Sequence, residues 1–371
     1  MACVSTPFEL PWPTRRTNSH SRNETHPTCL CLKSGQAAHY IVRMDTITHA
    51  LAGYVIAKTG LARDTGKWGT IAGVSAAVFP DMDLVLRPLF STEFTLKYHR
   101  HLTNSVFLIV PVSLLFAWLF VRISGVRRFW TFFLICVVEL LAHTFLDLAT
   151  SYGTMILSPF SDYRFALDWV FIIDLLLVSA FLFPLIALHI WKRREKVLAR
   201  ISVAIAALYI SLCAYNHWWA LSLAKSYAQQ RGLVAETVAA MPQPLSPFRW
   251  GNYILTERKI YQGFVDLIGA SGEGNFLSRF LPDYQPVSQL QYREWERFDN
   301  SPWVEKALKL EGLKTYYWFA RFPVARDRGM VNGNHRVEFF DLRFGSIGGR
   351  TPFVYIVDFD GEGNVVFQGF L

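Results

Sequence analysis

The chain has 371 residues, of which 52% are hydrophobic, 15% aromatic and only 18% charged. Soluble domains average about 25% charged residues, so this composition argues against a wholly soluble chain. The formal net charge of +8 is gathered in short loops between apolar runs, a distribution that orients membrane segments and speaks against nucleic-acid binding.

Residues 1–43 are polar, rich in Ser, Thr, Pro and Arg, and contain no run that suits the hydrophobic part of a secretory signal. The texture changes at Met44, and residues 1–43 read as a disordered or mis-started extension. Cys3, Cys29 and Cys31 lie within it, while Cys136 and Cys213 lie in apolar runs. No disulfide framework follows, and Cys29 and Cys31 lack a second pair for a zinc knuckle.

Apolar segments occupy roughly 46–57, 68–86, 103–121, 129–149, 169–191 and 201–224. A membrane span takes about 20 residues, so the last four qualify and the first two read as a short or re-entrant pair. Loop 58–67 carries Lys58, Arg63 and Lys67, loop 122–128 carries Arg122, Arg127 and Arg128, and loop 192–200 carries Lys192, Arg193, Arg194, Lys196 and Arg200. If all six segments cross, these loops share one side, which the positive-inside tendency makes cytoplasmic. Loops 87–102 and 150–168, and everything after 224, then face outward.

Residues 225–371 read as a soluble, β-rich (α+β) domain. Alternation marks strands at 315–322, 336–344 and 353–359, the last turning at Asp360-Gly361 into Val365-Val366-Phe367, with a helix near 301–312. The predicted fold is thus an α-helical polytopic membrane domain, 44–224, followed by a smaller β-rich soluble domain.

The ionisable residues of the membrane region fall at segment ends. Asp45 and His49 are four apart and share a helix face, as do His143 and Asp147. Asp81 and Asp83 close the second segment, His99, Arg100 and His101 precede the third, and Asp168 and Asp174 open the fifth. Charged groups at membrane depth are costly and usually face a shared polar cavity. Imidazole and carboxylate together suit Zn²⁺, Mn²⁺ or Fe²⁺ in a site that keeps a position open for water. Taken singly, a His-x-x-x-Asp pair is more often a hydrogen-bonded helix pair, and Asp81 and Asp83 read equally as a solvated helix end. His189 and His217 read as structural.

Three strings carry a resemblance. Met44-Asp45-Thr46-Ile47-Thr48-His49-Ala50, Phe79-Pro80-Asp81-Met82-Asp83 and His99-Arg100-His101-Leu102-Thr103-Asn104-Ser105 resemble the membrane-bound metal-dependent hydrolases of bacterial inner membranes, distantly similar to zinc-dependent phospholipase C. His143-Thr144-Phe145-Leu146-Asp147 and Arg164-Phe165-Ala166-Leu167-Asp168 extend it. The resemblance implies that His49, Asp81, His99, His143 and Asp147 hold a divalent metal, zinc first. It makes Asp45 and Asp83 supporting or additional ligands, and lets Arg100 and Arg164 meet an anionic group such as phosphate. Asp83 is the expected proton acceptor. The third motif departs from the family pattern, with His101 in place of a glycine and Asn104 in place of a second histidine.

The expected function is a metal-dependent hydrolase at the outer face of the inner membrane, with the soluble domain periplasmic and a phospholipid or other anionic ester as substrate. The alternatives are an inactive membrane anchor presenting the β-rich domain, and an ion- or proton-coupled transporter.

Overall fold

The computed structural model describes residues 46–83, 92–191, 194–269, 282–345 and 352–370. The expectations for residues 1–43, Asp45, Lys192, Arg193 and the side chain of His189 lie outside the described residues.

Helix α1 covers residues 46–56 and continues as a π-helical turn, Ala57–Leu61. It ends where Gly60 takes a φ of 112°, a conformation open to glycine alone at little cost. Helix α2, Lys67–Val78, passes into a 3₁₀ turn, Phe79–Met82, that starts with Pro80 near its N-terminus. Helix α3 is Thr92–Tyr98, and a 3₁₀ turn, Leu102–Asn104, leads into α4, Val106–Ser124. Ser105 caps α4 by accepting the Phe107 N–H at 3.2 Å. Then come α5, Phe129–Ala149, α6, Leu175–Ile190, and α7, Glu195–Gln230.

Three of these helices, α4, α5 and α7, are long and apolar enough to cross a membrane. The apolar segment expected from 169 becomes helical only at Leu175, and α6 has 16 residues. The delay has a local cause. Val170 bridges Thr150 in extended conformation, and the Asp174 carboxylate caps the new helix by accepting the Leu176 and Leu177 N–H groups, each at 3.0 Å. The first two segments are the short helices α1 and α2.

Helix α5 is central, with 56% of its apolar window buried inside the protein, against 22% for α4 and 28% for α7. Helices α1 and α2 close against each other at Gly53, where an added Cβ would meet the Ala77 Cβ at 2.5 Å. Helix α7 has 36 residues, or about 54 Å at 1.5 Å each, and a bilayer core takes only about 30 Å of that. The excess forms a stalk on which Ala220, Ala224 and Ala228 make a small-residue stripe that lets the first sheet pack closely. Asn252 donates to the Ala220 carbonyl at 3.0 Å, and Asn216 of α7 donates to the Pro247 carbonyl at 2.9 Å. The helix therefore runs past the expected boundary at 224.

The first sheet contains β1, Thr237–Pro242, β2, Arg249–Leu255, β3, Lys259–Asp266, β4, Gln285–Pro286, and β5, Arg293–Glu296. Its order is β1-β2-β3-β4, with β5 also on β3, and the β3–β4 pairing is parallel. Two short helices follow, α8, Pro302–Leu308, and α9, Leu313–Phe319. The second sheet is an antiparallel meander of β6, Pro323–Val331, β7, Asn334–Asp341, β8, Tyr355–Phe359, and β9, Val365–Phe370.

The expected hairpin is β8–β9, and Asp360 Oδ1 closes its turn by accepting the Glu362 and Asn364 N–H groups. The strand expected over 315–322 is instead α9. Leu313, Tyr316 and Phe319 are its buried residues, at helical spacing, and the aromatic residues around the whole helix imitate alternation.

The two regions meet over loop 150–168. Arg321 Nη1 reaches Asp168 Oδ1 and Oδ2 at 2.8 and 3.0 Å, and Arg343 Nη1 donates to the Ser151 carbonyl at 3.1 Å. Tyr152 packs edge-on to Phe319 with ring centroids 5.6 Å apart.

Candidate metal centre

Four helix ends meet at one level. The first turn of α1 brings His49, the 3₁₀ turn after α2 brings Asp81, the turn before α4 brings Asn104, and the last turns of α5 bring His143 and Asp147. All five side chains are buried. Burial of so many polar groups is tolerable only if each finds a partner.

His143 Nδ1 donates to the Ala77 carbonyl at 2.6 Å. A carbonyl only accepts, so this contact puts a proton on Nδ1, which in the neutral imidazole leaves the lone pair on Nε2. Nε2 itself makes no hydrogen bond among the described residues. It lies 3.2 Å from Asp147 Oδ2 and 3.7 Å from Asp81 Oδ1. His49 Nε2 lies 3.2 Å from Asp147 Oδ1, and the two imidazoles stack with centroids 3.8 Å apart. Among the described residues, His49, His143 and Asp147 are the one group of three His, Cys, Asp or Glu whose ligand atoms all lie within 4.8 Å of one another.

Ligand atoms at about 2.0–2.2 Å around a tetrahedral ion stand ~3.3 Å apart. The two 3.2 Å separations match that spacing. Nitrogen and carboxylate donors, a preset imidazole tautomer and an orphaned, buried Nε2 together fit a divalent ion of the zinc type.

The other expected site residues stand around this trio. Asp81 adjoins it through His143 and accepts the Thr46 hydroxyl at 2.8 Å. His99 is outside the trio, with Nδ1 3.0 Å from Asp83 Oδ2 and its ring edge-on to Tyr152. Asp83 is partly exposed. Arg100, at a left-handed φ of 59°, turns inward, with Nη2 2.8 Å from Asp147 Oδ1 and Nη1 donating to Thr150 Oγ1 at 2.8 Å. His101 points elsewhere, toward the Ser158 hydroxyl.

Arg164 lies at the contact between the two regions. It donates to the Tyr152 carbonyl at 2.5 Å and lies over the rings of Phe319 and Trp318 at 4.6 and 5.0 Å. Burial pushes its guanidinium down to about 9, and the neighbouring Arg343, Arg100 and Arg321 charges add to the effect, against Tyr152. Asp168 is spent on Arg321, whose own pKa rises despite its burial because Asp168 holds the proton in place. Asp174 is the α6 cap and accepts the Tyr209 hydroxyl at 2.7 Å. His217 packs edge-on to Trp250, as a structural residue would.

Three contributors carry no signal of their own in the sequence. Thr46 lies three residues before His49, and Thr150 three after Asp147, each within one helical turn of that residue. Asn104 stands out there only as a departure, yet its amide donates to Asp147 Oδ2.

Residues 44–220 match the model of a family described as "YdjM inner membrane protein". The chain is also similar to a Bacillus subtilis (strain 168) protein described as "Uncharacterized protein YfhP", at 25% identity over 331 residues, covering 85% of this chain and 90% of that protein. No solved structure matches. The family description and the three apolar helices agree on a membrane protein of the inner-membrane kind.

Proposed function

We propose that the helical region is a metal-dependent hydrolase whose site opens at the outer face of the inner membrane. His49, His143 and Asp147 would hold the ion, with Asp81 beside them. The observation that carries this reading is His143, whose tautomer is fixed by the Ala77 carbonyl while its buried Nε2 faces two carboxylates without a hydrogen bond. A divalent ion bound there would supply an acidified water and polarise a phosphoryl or carbonyl oxygen.

The chain's own groups have separable tasks. Asp83, partly exposed and paired with His99, would accept the proton of the attacking water. Arg100 fixes the orientation of Asp147 from outside the ligand set. Arg164 Nη2 is engaged with carbonyls and the guanidinium lies over aromatic rings, so a role toward substrate would fall to Nη1, which makes no hydrogen bond among the described residues, or to Nε. The basic loops at 58–67, 122–128 and 194–200 would face the cytoplasm and the β-rich region the periplasm. At that level the reactants within reach are phospholipid headgroups and other anionic esters.

A second reading is favoured by one specific observation. Both oxygens of Asp147 already have protein partners, Arg100 and His49 on Oδ1 and Asn104 on Oδ2. A carboxylate so satisfied suits a structural polar core, and the chain would then be an anchor for the β-rich region.

Hydrolysis of a chromogenic phosphodiester by the purified protein decides between them. Turnover that depends on added Zn²⁺ or Mn²⁺ and falls at least about 100-fold in Asp83→Asn supports the hydrolase, on the typical size of a general-base contribution. No metal-dependent turnover of phosphodiester, phosphomonoester or carboxylic ester probes leaves the anchor.

A further inference from the structure

We infer that Glu139 is a proton-binding site inside the membrane region, exchanging its proton with water along the polar face of α5. Glu139 lies midway along the 21-residue α5, ~15 Å from either end. It is 1% exposed, and neither carboxyl oxygen has a hydrogen-bond partner among the described residues.

Among the described residues it has no ion pair, and Lys58, in the turn that continues α1, is paired with Glu195. Helices α1 and α2 press glycines against it, since a Cβ on Gly53 would stand 3.4 Å from Oε2 and one on Gly73 3.2 Å from Oε1. On α1 the ionisable group toward the outer end is His49, one turn before Gly53. On α2 it is Lys67, six residues before Gly73, and on α4 it is Arg122 in the last turn. On α5 itself, Cys136 lies one turn before and His143 one turn after. An ionised carboxylate in such a place costs several kcal/mol and takes up a proton instead.

The route to water is the same helix face. Glu139, His143 and Asp147 follow at four-residue steps of about 6 Å. Asp81 lies 3.7 Å from His143 Nε2 and accepts the Thr46 hydroxyl, and Asp83, two residues on, is 28% exposed. Isolated buried acids with no structural partner are what proton relays in membranes use. This inference rests on the burial of Glu139 and applies to the protein without metal, because an ion on His143 Nε2 would close the route.

Infrared spectroscopy of the full-length protein in liposomes at neutral pH tests it. The expected result is a carboxylic-acid C=O band that Glu139→Gln removes and that shifts after equilibration in D₂O. Should Glu139→Gln fail to fold, Glu139→Asp is expected to move the band rather than abolish it. Absence of any acid band attributable to Glu139 overturns the inference. So does a band that does not move in D₂O, because that acid would be sealed from water.

Discussion

Asn104 donates its side-chain amide to Oδ2 of Asp147, the same carboxylate whose Oδ1 takes Arg100 Nη2 at 2.8 Å. The residue that departs from the motif expected at this position thus touches the centre of the site. It supplies a neutral donor where an imidazole would supply a lone pair.

Asn104→His should therefore add a ligand. We predict about tenfold tighter Zn²⁺ binding, measured by competition with a chromophoric chelator, in line with the size of changes immediately around metal sites. An unchanged affinity would mean that position 104 acts on Asp147 only through its hydrogen bond.

The contact between the two regions depends on Asp168 and Arg321. Arg321→Ala leaves Asp168, 4% exposed, without its partner. The expected loss is about 3 kcal/mol, typical of breaking a buried pair from one side. It should appear as faster proteolysis near loop 150–168, and an unchanged cleavage rate would show that the remaining contacts suffice.

Close approach of α1 and α2 requires glycine at 53. Gly53→Ala places a Cβ 2.5 Å from that of Ala77, an overlap that should cost ~2 kcal/mol. Ala77→Gly in the same chain should restore most of the thermal stability, and failure of that rescue would locate the strain elsewhere.

In the β-rich region, Asp327 is held below its ordinary 3.8. Burial works against this, but the Ser301 hydroxyl, the Gly329 N–H and His335 outweigh it. A depressed folded-state value means a contribution fully present above the unfolded value and lost as pH falls through the folded one. Asp327→Asn should flatten the acid-unfolding curve below about pH 3.8, monitored by tryptophan fluorescence.

Much of the helical region is legible in the sequence, because apolar length and i,i+4 pairs are local signals. The His143 and Asp147 pair, the ends of α5 and the β8–β9 hairpin all follow from spacing, while α4 starts and ends three residues after the expected 103–121. Spacing does not give depth or partner. Arg164 reads as an anion ligand until Phe319 and Trp318, over 150 residues later, are placed around it. His99 reads as a member of the ligand set until Asp83 takes it aside. The α9 helix is hidden by aromatic residues on every face, and Glu139, one turn before His143, carries no motif and is revealed only by the helices that enclose it.

The most direct measurement is the metal content of the purified full-length protein, wild type against His143→Ala. A metal centre built on His49, His143 and Asp147 predicts close to one equivalent of Zn, Mn or Fe per wild-type chain and a loss of most of it in the variant. A wild-type protein that takes up no metal on dialysis against micromolar Zn²⁺, or a His143→Ala variant that binds as much as wild type, would contradict it.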